Sequence, residues 1–118
     1  MELLPAEIRA LLPALYAQSE CSDAIAYIKF FTPDSNWTWY ITEFDGEDTF
    51  FGLVVGFDEE LGYFSLSELQ EYRGALGIVI ERDLHFKPTQ LSQLRRQQEQ
   101  SKISGYINSD DDFMITYD

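Results

Sequence analysis

Leu4, Ile8, Leu11, Leu12 and Leu15 recur at helical spacing behind Pro5, which suits a first helical turn. The pattern predicts a helix over about residues 5–16 that Pro13 kinks or breaks. The period then changes. "AIAYIKFF" (24–31) is rich in β-formers and "TPDSN" follows as turn chemistry, which predicts a strand and then a turn. "NWTWYITEF" (36–44) alternates, Asp45-Gly46 signals a hairpin, and "TFFGLVVGF" (49–57) returns. A two-residue loop would pair Phe44 with Glu47, Glu43 with Asp48, Ile41 with Phe50 and Trp39 with Gly52, and a four-residue loop would shift the pairing by two and keep the same faces. Trp37, Trp39, Ile41, Phe50 and Val54 share one face with Gly52 and Gly56. Thr38, Tyr40, Thr42, Phe51, Leu53 and Val55 share the other. Both faces are apolar enough to be covered, as in a central hairpin. An indole can lie over the bare backbone of a facing glycine, so the tryptophans read as core or glycine cover, or as a stacking platform.

Downstream, "DEELGYF" predicts a turn into a short strand or extended piece. Ser65 and Glu68 form a capping box ahead of Leu66, Leu69 and Tyr72, with Arg73 in the last turn and Gly74 as the stop. "GIVIERD" (77–83) and "LHFKP" (84–88) read as extended, and a helix over about 90–99 has a thin apolar stripe of Leu91 and Leu94 beside Arg95 and Arg96. The polar "QQEQSKISG" leads into "YINSDDDFMITYD", expected to be mobile or partner-dependent. These elements compose an α+β domain over 1–95, a central antiparallel sheet flanked by an N-terminal helix and short helices, with a polar and acidic extension over 96–118.

A chain of 118 residues, 45% hydrophobic, fits one domain with a real core. Cys21 is the only cysteine, so no intrachain disulfide can form. The acidic start with Pro5 and Pro13 is unlike a signal peptide, and no apolar run approaches a membrane span, which predicts a cytoplasmic protein. Charge changes the picture more. Acids outnumber bases 21 to 8, a net charge of -13, which repels nucleic acid and anionic membrane. Between Lys29 and Arg73 lie Asp34, Glu43, Asp45, Glu47, Asp48, Asp58, Glu59, Glu60, Glu68 and Glu71, with no basic residue among them. At the hairpin tip Glu43, Asp45, Glu47 and Asp48 crowd together, and opposed like charges destabilise a hairpin. A solvated tip, a divalent cation or a basic partner would each relieve it, although the tip lacks the alternating ligands of a calcium loop.

Catalytic chemistry finds little support. His85 is the only histidine, and neither nucleophile signatures nor phosphate-cradling glycine loops occur. Pro33-Asp34 lacks the companion acid two places before a lysine that a metal nuclease of the restriction type needs, because Lys29, Lys87 and Lys102 follow Tyr27, His85 and Gln100 at that spacing. Structural zinc would need Cys21, His85 and scattered carboxylates. The run Asp110 to Asp112 could hold a hard cation, but such runs are usually solvated. No catalytic residue, metal or cofactor is assigned.

The blocks "KFFTPDSNWTWYITEFDGEDTFFG" (29–52), "GYFSLSELQEYRG" (62–74) and "ERDLHFKP" (81–88) resemble a bacterial domain-of-unknown-function family, number 2958, over residues 1 to about 95. The resemblance implies a setting on mobile genetic elements that carry antirestriction genes, and no catalytic residues. Setting and charge together suggest a non-catalytic acidic interaction protein. Its partner would be basic, a nucleic-acid-binding protein of a host defence system, and the domain would act as a DNA mimic of antirestriction or anti-CRISPR type. The expected partner-binding residues are Glu43, Asp45, Glu47, Asp48, Asp58, Glu59 and Glu60. The alternative is a small-ligand binder or an enzyme, with Trp37 or Trp39, His85 and an acid such as Glu43 or Glu81 converging on one pocket.

Overall fold

The computed structural model describes residues 2–110, with side chains as far as residue 100. Its frame is a five-stranded antiparallel sheet in the order β5-β4-β3-β2-β6. The strands are β2 (Ile28–Phe31), β3 (Thr38–Phe44), β4 (Thr49–Val55), β5 (Glu59–Ser65) and β6 (Glu81–Arg82). A separate two-stranded ribbon joins β1 (Ile25–Ala26) to β7 (Thr89–Gln90). The helices are α1 (Ala6–Arg9), α2 (Leu66–Glu71) and α3 (Leu91–Asp110). The expected α+β class holds, with the central antiparallel sheet flanked by helices.

Both faces of the sheet are covered, because both sides of the β3–β4 hairpin are apolar. Ile41, Phe44 and Phe50 meet Ile28, Phe30, Leu3, Leu4, Ile80 and the α2 residues Leu66 and Leu69 on one side. Tyr40, Leu53 and Val55 meet Ala26 and the α3 residues Leu91 and Leu94 on the other. Phe30 and Phe50 touch edge to face at 5.8 Å, and both are fully buried.

Several boundaries differ from the expectation. The N-terminal helix is one turn rather than a helix to residue 16. Pro13 disfavours helical geometry at Leu12, and the Pro13 carbonyl instead accepts the Phe44 N–H at 2.9 Å. The strand expected over 24–31 splits at Tyr27 between ribbon and sheet. The hairpin follows the four-residue-loop register from Thr38 to Ile41, which pairs with Gly52, and then a bulge at Thr42 shifts it so that Phe44 faces Phe50. The two-residue loop fails because Asp45 is used to close a wider one. Gly46 takes φ 90 in that loop, a conformation that suits glycine. Trp37 does cover a glycine, but it is Gly56: a methyl there would come within 2.5 Å of the indole. Trp39 stacks on Trp37 at 6.2 Å and packs against the core.

The Ser65 cap stands, with the Glu68 N–H donating to Ser65 Oγ at 3.3 Å, but α2 ends at Glu71 with Tyr72 in extended geometry, so Arg73 and Gly74 lie beyond it rather than in its last turn and at its stop. The piece after Phe57 is a full seven-residue strand, β5. The segment over 77–88 forms only the short β6, and α3 passes the expected end at 99 to reach Asp110. Residues 111–118 lie outside the described residues, and with them Asp111 and Asp112 of the acidic run.

Candidate functional site

Three of the four crowded carboxylates of the hairpin tip are not left to water. Glu43 is buried at 4% exposure. Its Oε1 accepts the Tyr16 N–H at 2.7 Å and its Oε2 the Gln18 N–H at 2.9 Å. The bulge at Thr42 carries this side chain to the α3 side of the sheet, under the 16–22 loop. Gln18 completes the lock: its side-chain amide donates to the Ile25 and Thr42 carbonyls at 3.0 and 2.9 Å, and its oxygen accepts the Ile25 N–H at 2.7 Å. Tyr16 holds φ 70, a left-handed conformation unusual for a bulky residue.

Asp45 Oδ1 accepts the N–H groups of Glu47, Asp48 and Thr49 at 2.8, 2.9 and 3.0 Å, closing the loop from inside. Those amides hold its carboxyl below the usual carboxylate range. Asp48 takes the Ser65 hydroxyl at 2.5 Å and the Ser67 N–H and hydroxyl at 2.8 and 3.0 Å. It too is lowered, first by Ser65 and then by Ser67. Three of the seven residues expected to bind a partner therefore hold the chain together. The expectation of an open acidic tip at Glu43 is corrected: the carboxylates meet backbone amides, which sequence spacing does not reveal.

The other acids are arranged around β5. Asp58 and Glu60 are exposed at its start, and Glu59 reaches Arg95 with an Oε1 to Nε distance of 3.9 Å. At its far end the Asp48–Ser65 bond fixes the β3–β4 loop, bringing exposed Glu47 to that end, and Glu68 and Glu71 follow on α2. The strand spans about 20 Å between these two acidic ends.

Among the described residues β5 pairs with β4 alone, so its other side is the edge of the sheet. At the two ends of that pairing the Leu66 N–H donates to Asp48 O at 2.8 Å and the Gly56 N–H to Asp58 O at 3.0 Å. Backbone groups alternate along an antiparallel pair, so even-numbered residues of β5 aim at β4. The N–H and C=O of Glu59, Leu61 and Tyr63 aim outward. Side chains of Leu61 and Tyr63, 47% and 56% exposed, line a cavity of about 460 Å³ with Tyr16, Glu43, Phe51 and Arg95. A hydrogen bond with Tyr16 is the first cause that raises the Tyr63 phenol above its ordinary range.

The pocket anticipated from Trp37, Trp39 and His85 does not assemble. Trp37 lines a cavity of about 520 Å³ with Phe31 and Glu59, whereas His85 lines a smaller one of about 340 Å³ with Glu81 and Asp83. Lys29 and Phe31 line both cavities, and Glu43 belongs to neither. The reason is topological: Trp37 sits at the β2–β3 turn and His85 follows β6, so the two lie on either side of β2. Among the described residues no group of three or more histidine, cysteine, aspartate and glutamate side chains could hold a metal ion. No described helix is long and apolar enough to cross a membrane.

A family model described as a protein of unknown function (DUF2958) matches residues 3–107. No curated protein and no solved structure matches the chain.

Proposed function

The chain belongs to the DUF2958 family, and from that premise we propose that it is a non-catalytic acidic interaction protein whose partner is a basic protein of the bacterial cytoplasm. One observation carries the reading: the edge strand β5 has exposed carboxylates at both ends and, among the described residues, bonds β4 on one side only. Net charge -13 draws a basic partner toward that surface and sets a steep dependence on salt. In its finer form this chain comes from a mobile element, the partner is a nucleic-acid-binding protein of a host defence system, and Glu47, Asp58, Glu60, Glu68 and Glu71 would take the place of phosphates.

Affinity capture from a bacterial lysate at low salt, eluted by a salt gradient and read by mass spectrometry, tests this. The control carries Glu47→Lys, Asp58→Lys and Glu60→Lys, three exposed positions whose reversal leaves the buried bonds of Glu43 intact. The expected result is one basic protein retained by the native chain, lost with the control and displaced by added duplex DNA. Equal retention by both chains refutes the acidic interface, and retention that DNA leaves untouched refutes the mimicry.

A further inference from the structure

Among the described residues the long edge strand β5 lacks the usual protections of a sheet edge. Protected edges are short, bulged, covered, or studded with charge and proline. β5 is seven residues long, pairs with β4 without a register shift, and carries no charge over Leu61, Gly62, Tyr63 and Phe64. Its opposite number, β6, has only two residues. Three outward N–H groups, at Glu59, Leu61 and Tyr63, therefore stand beside two exposed apolar side chains and an open cavity.

We infer that β5 receives an extended segment of a basic partner as a sixth strand of the sheet, with apolar side chains at the segment's centre and basic ones at its ends. The inference rests on the acidic-interaction reading above and specifies how that partner is held. Backbone bonds to Glu59, Leu61 and Tyr63 supply the grip, as in other strand additions. Side chains of the added strand alternate. Those on the α3 side enter the cavity beside Tyr16, Phe51, Leu61 and Tyr63, where an apolar group buries area. Those near the strand ends meet Asp58 and Glu60 at one end and Glu47 and Glu68 at the other. A second copy of this chain fits worse. Antiparallel self-pairing centred on Gly62 brings Asp58 and Glu60 of one strand to the end where Glu47 and Glu68 flank its mate, and like charges so gathered repel.

A synthetic peptide, blocked at both termini and built of lysine pairs flanking a Val-Thr-Val centre, is the probe. Its control is the same peptide N-methylated on alternate amides, equal in charge but unable to donate to the strand. Titration into the isotope-labelled full chain is followed by amide shifts and hydrogen exchange. The expected outcome is protection of the Glu59, Leu61 and Tyr63 amides and a loss of affinity of about tenfold or more on N-methylation, as a few lost backbone hydrogen bonds imply. Tyr63→Pro, which removes one outward N–H and no bond to β4, weakens the native peptide to a similar degree, and Tyr63→Thr restores the backbone donor. Equal binding of both peptides without edge protection overturns strand addition and leaves the acidic interface standing. No binding of either peptide at low salt overturns both. A dimer in light scattering that Tyr63→Pro dissolves gives the edge to a second copy and overturns the basic occupant.

Discussion

Glu43 shows how one side chain changes role between sequence and fold. In the sequence it is one of four clustered acids with nothing basic nearby, and in the structure its two oxygens end the unpaired donors of Tyr16 and Gln18. A buried carboxylate that loses this match leaves donors without acceptors at roughly 1–3 kcal/mol. Glu43→Gln, which keeps the shape and surrenders one acceptor, is expected to lower the urea midpoint by a corresponding amount. Glu43→Lys is expected to leave the chain largely unfolded by circular dichroism, because it buries an ammonium against N–H groups. Gln18 was invisible to pattern reading, since a single glutamine in a polar stretch carries no spacing signal. Its value lies in standing in for a strand neighbour, bonding Ile25 and Thr42 at once. Asp58, Glu60 and Glu47 are exposed as expected, because an outward carboxylate needs no inward geometry.

At the scale of elements, short-range signals are legible in the sequence and strand pairing only in part. The Ser65 cap and the Leu66 and Leu69 stripe of α2 came directly from local chemistry, as did the Leu91 and Leu94 stripe of α3. Ser65→Ala is expected to cost about 1 kcal/mol for the cap. It also strips the Asp48 carboxylate of one donor, so a double-mutant cycle with Asp48→Asn should show coupling in thermal melts. The hairpin faces were legible because alternation fixes them, while the register needed the Thr42 bulge, whose cause is the contact of Glu43 with a distant loop. β5 was underestimated because "EELGYFS" has glycine and no clean alternation. Its cross-strand partners Phe50 and Phe51, which meet Phe64 and Tyr63 at 5.6 and 4.9 Å, hold it in the sheet.

For the whole molecule, charge and fold pull against each other. Net charge -13 strains the compact state, so added sodium chloride is expected to raise the melting temperature at neutral pH. Acid acts with the opposite sign. Asp23, Asp45 and Asp48 all titrate lower when folded than when free, by hydrogen bonds to Ser92, to the loop amides and to Ser65. The stability they contribute is complete above the ordinary carboxylate value of about 3.9 and is lost as pH falls through their lower folded values. Urea midpoints measured down the pH scale should therefore drop steeply below about pH 4, and Asp45→Asn should flatten that drop. Asp23 also joins the ends of the fold. It receives the Ser92 N–H and hydroxyl across 69 positions of chain, and Arg82 bonds the Glu2 carbonyl across 80. On a ribosome these partners leave the exit tunnel far apart in time. The loop that carries Asp23 must wait for α3, and the early segments remain open to proteases until Ser92 has emerged.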